Sequence, residues 1–295
     1  MGYYSIKDIE SLTGIKAHTI RIWEQRYRLV LPKRTDSNIR FYEDDDVKLL
    51  LNVALLNRKG YKISKIAELS KTDIRMSALK YSKKNTEYED SINSLVLATY
   101  NLNENTFNKI FSDFVQTEGF ENTIQRLIFP FLQRIGDLWV TNSLHPALEH
   151  FASNIIVKKL HYAIESVTKT KNKFFKFLLF LPPGEMHEIG LLYTNYLIRS
   201  RGHEVIYIGQ NTPFNNLLEI IKNNNPDYLL TVYTNCQSEI DSIKLYESII
   251  EIKPDVKIIF SGCSVLNKLS KFKSLPAYNK SVFVIDQPKE IHKFL

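Results

Sequence analysis

The spacing of hydrophobic and polar residues changes once along this chain of 295 residues. Up to about residue 168, apolar side chains recur every three or four positions, which predicts amphipathic helices. From residue 174, short apolar runs alternate with helical segments, the pattern of βαβ units around a parallel sheet. The predicted strands are Phe175–Leu181, Val205–Ile208, Tyr228–Tyr233, Val256–Phe260 and Val282–Ile285. We therefore expect a multidomain α and α/β protein that ends in a flavodoxin-like, doubly wound parallel sheet over residues 174–295.

The helical part divides into three segments. Residues 1–72 hold short helices with one basic interruption, and residues 73–85 are polar and weakly periodic, which favours a linker. Residues 86–168 read as helices throughout, and the periodicity predicts a four-helix bundle. Its helices are expected near Tyr88–Tyr100, Glu104–Gln116, Glu118–Val140 and Leu144–Val167.

The first segment has the pattern of a helix-turn-helix with a wing. Ser5 is placed to cap a first helix, and Gly14 provides the tight turn after it. A second helix from about Lys16 turns Ile20 and Trp23 toward a core. Residues 36–38 then form a turn between two short basic strands. A polar second helix beside a basic hairpin is typical of proteins that read the major groove.

The distribution of charge supports the same interpretation. The formal net charge is +7, from 39 Lys and Arg against 32 Asp and Glu. Residues 16–40 carry a large share of this excess, because seven cations and two anions give +5 in 25 residues. Such a cluster indicates a polyanion-binding surface. On charge alone, a solvated basic surface remains an equal alternative.

Several motifs of this segment resemble the winged-helix DNA-binding domain of the MerR regulators. They are Thr19-Ile20-Arg21-x-Trp23-Glu24, Pro32-x-Arg34-Thr35, Arg40-Phe41-Tyr42 and Gly60-Tyr61. Tyr27-Arg28 resembles the variant found in the subgroup that carries cobalamin-binding domains. The resemblance implies binding to double-stranded operator DNA, with Arg21, Arg34 and Arg40 on phosphates and bases. The full predicted contact set is Lys16, His18, Thr19, Arg21, Gln25, Arg34, Arg40 and Tyr42.

The loop after the first strand carries a second motif. Glu185-x-His187-x-x-Gly190 resembles the Asp-x-His-x-x-Gly signature of cobalamin-binding domains at the same place in the same fold. The resemblance implies that His187 is the axial ligand of cobalt, with Glu185 accepting the other ring N–H. Gly190 would let the nucleotide tail pass close to the backbone. Further cofactor contacts are expected from the third and fourth strands, at Thr231, Thr234, Ser261 and Gly262.

A third motif lies in the predicted bundle. Trp139 precedes Glu149-His150 by nine intervening residues, which resembles cobalamin-dependent MerR-like photoreceptors of the CarH/LitR type. The resemblance implies that Trp139, Glu149 and His150 cap the upper face of the cofactor. Val140 stands where such photoreceptors can have a histidine. Taken alone, His145 and Glu149 could suggest zinc, but no third ligand stands at a suitable spacing.

These features together predict a cytoplasmic transcriptional regulator, a repressor that is not an enzyme. The resemblance implies adenosylcobalamin as cofactor, self-association to a dimer or tetramer, and disassembly when light breaks the cobalt–carbon bond. No membrane span or signal peptide is expected, and the two cysteines predict neither a disulfide scaffold nor a metal site. One alternative is a regulator of the same build that has lost cobalamin and uses its last domain for protein contacts. Another is a corrinoid enzyme subunit for methyl transfer or carbon-skeleton rearrangement.

Overall fold

A computed structural model of the protein describes residues 4–35, 38–81, 88–140, 145–168, 175–234 and 241–295. The chain forms two compact units, Met1–Asn154 and Ile155–Leu295. The first unit contains, in order, α1 (Ile6–Thr13), α2 (Ala17–Tyr27), β1 (Lys33–Arg34), β2 (Arg40–Phe41), α3 (Asp44–Arg58), α4 (Ile63–Ala67), α5 (Lys71–Tyr81), α6 (Glu89–Tyr100), α7 (Glu104–Glu118), α8 (Phe120–Thr123), a π-helical turn (Ile124–Ile128) and α9 (Phe129–Val140).

The division between the units falls within the next helix, α10 (Pro146–Glu165). The second unit then contains β3 (Lys176–Phe180), α11 (Ile189–Ser200), β4 (Glu204–Gly209), α12 (Phe214–Asn224), β5 (Tyr228–Val232), α13 (Ser242–Ile252), β6 (Lys257–Ser261), α14 (Cys263–Leu266), α15 (Leu269–Lys273), β7 (Val282–Ile285) and a 3₁₀ helix (Pro288–Phe294). Among the described residues, no helix has the length and hydrophobicity needed to cross a membrane.

The described residues between positions 4 and 67 form the predicted helix-turn-helix with its wing. Ser5 and Asp8 cap α1 reciprocally, since each side chain accepts the backbone N–H of the other residue. Gly14 ends the helix in the left-handed region at φ 70°. The wing is the antiparallel pair β1–β2, in which Arg34 lies opposite Arg40.

The predicted linker is wrong over most of its length. Residues 71–81 form α5, which packs against α3 in the same unit. Ile74 and Ala78, one helical turn apart, are buried and supply the contact face. The rest of the predicted linker includes residues 82–85, which lie outside the described residues.

The predicted helical segments are all present. The third begins after Gly119 and runs through α8, the π-helical turn and α9. Within the first unit, α6 packs against α7 and α9. The buried Glu89 of α6 pairs with Arg134 of α9, whose guanidinium also donates to Asn93 Oδ1 at 3.3 Å. A buried charge pair with added hydrogen bonds fixes how these two helices meet.

The sheet confirms the flavodoxin-like prediction. Its strands are parallel in the order β4-β3-β5-β6-β7, so the first strand of this unit lies between the second and the third. All five predicted strands are observed within one residue at either end. The chain reverses direction across the sheet between β3 and β5, and ligands of such folds bind at the carboxyl ends of the strands there.

The two faces of the sheet are covered by different helices. One face packs on α12 and α13, through a core that includes Leu229 and Tyr233 of β5 and its exit. The other face carries the 3₁₀ helix, whose Phe294 contacts Tyr228 and Phe283, and this helix packs on α11. Because side chains alternate along a strand, odd-numbered residues from Leu229 to Tyr233 face α12 and α13. Even-numbered residues of β5 face α11.

Candidate functional site

The loop after β3 is organised around the buried carboxylate of Glu185. This residue has no exposed surface. Its Oε1 accepts the backbone N–H groups of Met186 and His187, each at 3.1 Å, and contacts the Nδ1 atom of His187 at 2.6 Å. Its Oε2 accepts the Thr234 N–H at 2.7 Å. Burial of a carboxylate is costly without such partners, so these bonds hold the loop in one conformation.

These hydrogen bonds connect the ends of β3 and β5, the two neighbouring strands between which the order of strands along the sheet changes direction. Glu185 follows β3, and Thr234 follows β5, its neighbour in the sheet. Asn211, which follows β4, donates its backbone N–H to the Glu185 carbonyl at 3.1 Å. Three strand exits therefore converge on Glu185, at the position where this fold class binds ligands.

The hydrogen bonds of Glu185 determine how His187 is presented. Since Glu185 acts as an acceptor toward backbone donors, the imidazole gives it the Nδ1 proton, and in the neutral ring the lone pair lies on Nε2. The His187 side chain is 64% exposed. The adjacent Met186 is 56% exposed. An imidazole that is oriented by a buried carboxylate through Nδ1, and whose side chain is exposed beside an apolar residue, fits a ligand of a corrin metal.

Gly190 and Thr231 lie on opposite faces of the sheet. Gly190 is on α11, where an added Cβ would meet no atom nearer than Pro288 Cγ at 4.0 Å. Thr231 faces α12 and α13 by strand alternation. Its hydroxyl is buried and has no hydrogen-bond partner within the described part of the chain. Val232, and not Thr231, is therefore the residue of β5 that faces α11, and the cofactor contacts expected of Gly190 and Thr231 stay predictions.

The two predicted positions after β6 differ in their roles. Ser261 is buried and pairs with Val232, so it lies on the α11 face. Gly262 has φ 101°, and a Cβ there would approach the Tyr233 carbonyl oxygen to 2.3 Å. Close packing of two backbone segments therefore accounts for this glycine. The Tyr233 N–H donates to the Ser261 carbonyl at 2.8 Å, which holds the segments together.

Thr234 contributes through its backbone. Its N–H holds Glu185, and its carbonyl accepts the Cys263 thiol at 2.9 Å. The sequence predicts a cofactor contact of Thr234 through its hydroxyl, and nothing in the sequence pattern indicates a contact through its backbone.

The other cysteine, Cys236, lies outside the described residues.

The bundle motif is only partly described. Trp139 and Val140 end α9, and their side chains lie outside the described part of the structure. Glu149 accepts the Ser153 hydroxyl at 2.6 Å and lies 3.6 Å from Nδ1 of the exposed His150. The Nδ1 atom of His145 accepts the Ala147 N–H at 3.2 Å and so caps α10. The described residues contain no group of three potential His, Cys, Asp or Glu ligands.

The predicted DNA-contacting residues of the second helix lie on α2 or at its start. Residues 16, 18, 21 and 25 are exposed, and Thr19 is half-buried. Lys16 forms an ion pair with Glu10 at 3.0 Å, and His18 Nε2 lies 3.3 Å from the Thr19 hydroxyl. Arg21 and Gln25 point away from the core formed by Ile20 and Trp23.

In the wing, one predicted contact is wrong. Tyr42 has no exposed surface, and its hydroxyl donates to the buried Glu24 of α2. Its phenol is therefore part of the core of this domain and is removed from the predicted DNA contacts. Arg40 is half-buried and pairs with the other oxygen of Glu24 at 3.3 Å. Arg34 is exposed, with its guanidinium 2.6 Å from Asn38 Oδ1.

Two family matches agree with this geometry. Residues 4–72 match the MerR HTH family of regulatory proteins. Residues 91–164 match the B12 binding domain. The chain therefore carries one region similar to the MerR HTH regulatory proteins and a second region similar to B12 binding domains.

Two relatives resemble this chain over most of its length. The HTH-type transcriptional repressor CarH of Myxococcus xanthus is 24% identical over 232 residues, which are 77% of each chain. The HTH-type transcriptional repressor CarA of the same organism is 23% identical over 274 residues, which are 92% of this chain and 91% of the relative.

A solved structure has the same fold. The monomethylamine corrinoid protein of Methanosarcina barkeri superposes with a TM-score of 0.56, over 67% of this chain and 92% of its own, at 15% identity.

Proposed function

We propose that this protein is a MerR-family transcriptional repressor that senses adenosylcobalamin, and light through it, by ligand-controlled self-association to a dimer or tetramer. In this proposal α2 and the wing bind double-stranded operator DNA, and His187 binds cobalt. The sequence relatives named as repressors support regulation, rather than enzymatic turnover, as the role of the chain.

The observation that carries the proposal is the Glu185–His187 pair. A buried carboxylate that fixes the tautomer of an exposed imidazole is the arrangement by which proteins orient metal-binding histidines. His187 would hold the metal through Nε2, and Glu185 would keep that ring oriented. Gly190 leaves space beside α11 for the nucleotide tail. When bound, adenosylcobalamin supplies a light-sensitive cobalt–carbon bond.

The test is reconstitution of the purified full chain with adenosylcobalamin in the dark. We expect an absorption spectrum of the form in which dimethylbenzimidazole has left cobalt, and a change in size by light scattering that reverses on illumination. His187→Ala should weaken cobalamin binding at least tenfold, the effect expected for losing an orienting metal contact. The matched control is His292→Ala, another exposed histidine of the same unit.

Two outcomes would contradict the cofactor assignment. One is a wild-type chain that stays colourless with the vitamin. The other is a bound vitamin that keeps its own base on cobalt, with the same affinity in His187→Ala. A chain whose size is the same with and without the cofactor would contradict the proposed self-association.

Two observations favour a second candidate, a regulator that has lost cobalamin and uses the sheet unit for protein contacts. Thr231 and Gly190 do not converge, and Gly262 serves backbone packing. The reconstitution separates the two candidates, because this one predicts no spectrum while operator binding persists.

A further inference from the structure

The exposed face of α2 contains one residue that is chemically unlike the others. With 3.6 residues per turn, five exposed residues of α2 fall within an arc of about 140°. They are His18, Arg21, Ile22, Gln25 and Arg26. Four are polar or basic. Ile22 lies inside this arc, and its side chain is 47% exposed.

Neither packing nor helix propensity explains an isoleucine at this position. The core side of α2 is already supplied by Ile20 and Trp23, which are 0% and 5% exposed. A β-branched residue on an open helix surface is a poorer helix former than alanine, lysine or glutamine. Exposure of the side chain to water adds no stability of its own.

The surroundings of Ile22 indicate which ligand this face would meet. Arg21 and Arg26 flank it, and residues 16–40 carry seven cations against two anions. Charge complementarity therefore favours DNA. In the major groove, arginine and glutamine can bond the polar edges of bases, but isoleucine can only make an apolar contact. The apolar group that the groove offers is the 5-methyl of thymine.

We propose that Ile22 contacts the 5-methyl group of a thymine in each operator half-site and thereby sets part of the sequence preference. This inference rests on the proposed operator binding of α2 and adds a specificity-determining residue to it. A direct contact of this kind would favour thymine over cytosine and over uracil at one position.

The test is a double-mutant cycle between protein and DNA. The full-length wild-type chain first selects its preferred duplex from a random library. Each thymine of that duplex is then replaced by deoxyuridine, which removes the methyl group alone. At one position per half-site we expect wild-type binding to weaken about fourfold, the factor for burying one methyl-sized group. Ile22→Ala should weaken binding to the thymine duplex similarly and show no thymine preference there.

Two further variants control the experiment. Ile252→Ala removes a 38%-exposed isoleucine from α13 and should leave the thymine preference intact. Ile22→Val keeps most of the apolar contact and should retain the preference. Because Ile22 is exposed, Ile22→Ala should unfold at the wild-type temperature, which separates a lost contact from lost structure.

The outcomes separate this inference from the proposed function. If Ile22→Ala keeps the wild-type preference for thymine at every position, or if deoxyuridine costs the wild type nothing, Ile22 does not read a thymine methyl. If the wild type selects no sequence at all from the library, the operator-binding proposal itself fails.

Discussion

Single glycines in the sheet unit illustrate how one residue type serves different purposes. Gly262 lies against the Tyr233 backbone at a positive φ, whereas a Cβ at Gly190 would make only an ordinary van der Waals contact, with Pro288 Cγ at 4.0 Å. The sequence predicts a cofactor contact at both glycines, yet only the structure shows that close backbone packing requires a glycine at position 262.

The paired substitution of these glycines is therefore informative. Gly262→Ala should lower the free energy of unfolding by more than about 2 kcal/mol, because backbone atoms must shift and an alanine is strained at this φ. Gly190→Ala should leave thermal unfolding within a few degrees of wild type but weaken cobalamin binding. Thermal denaturation and cobalamin titration of both variants provide the measurement. Equal stability of Gly262→Ala and wild type would contradict the packing role.

For single residues, the sequence predicts where each motif lies along the chain but not always which residues its side chains contact. The sequence pattern predicts a cofactor contact at Thr231, but the residue of β5 that faces α11 is its neighbour Val232. A shift of one residue along a strand moves a side chain to the other face of the sheet. Tyr42 follows the two-residue strand β2, which is too short for alternation to indicate burial. The Glu185–His187 contact, in contrast, was predictable because two residues in one loop must lie close together.

Among the elements, those with strong periodicity or cap residues were predicted well. The five strands and the capped α1 are examples. Helix α5 was missed because few of its residues are apolar, and its helical state depends on Ile74 and Ala78 packing against α3. Tertiary packing decides the state of such weakly amphipathic segments.

A polar contact between α1 and α6 leads to a prediction at this scale. The Tyr100 hydroxyl donates to Asp8 Oδ1 at 2.6 Å. Partial burial alone would raise the pKa of Asp8, but hydrogen bonds from Tyr100 and Ser5 outweigh it and hold the pKa below its ordinary 3.8. The stabilisation is therefore present above pH 3.8 and disappears as the pH falls through the lowered pKa.

Tyr100→Phe tests this contact. At pH 7 the variant should lose about 1 kcal/mol of unfolding free energy, the usual contribution of such a hydrogen bond when partly exposed. The difference from wild type should shrink below pH 4 or so, as Asp8 becomes protonated in both proteins. Urea unfolding at several pH values measures it, with Tyr162→Phe as an exposed control. A difference that does not vary with pH would rule out the role of the Asp8 charge.

For the whole molecule, the position of the positive charge determines how DNA binding depends on salt. The net charge of +7 is concentrated in residues 16–40, next to α2 and the wing. Each phosphate that a side chain neutralises adds about 0.9 to the slope of log affinity against log salt.

Arg21→Ala should therefore weaken operator binding and reduce that slope by about one. Binding measured across a salt series provides the test, and Lys222→Ala, on α12 of the sheet unit, serves as a charge-matched control. Parallel salt lines for Arg21→Ala and wild type would show that Arg21 lies away from the phosphates.

The contacts of α5 and Tyr100 also determine how a mechanical signal can reach the DNA. Because α1 and α3 pack against α5, α6 and α9 in one unit, the reading helix and the helical segment are not joined by a loose tether. A tilt of α6 would therefore rotate α2 and the wing together with it. In the proposed dimer or tetramer, a small rotation of α6 would be enough to move two DNA-binding domains out of register with successive turns of the duplex.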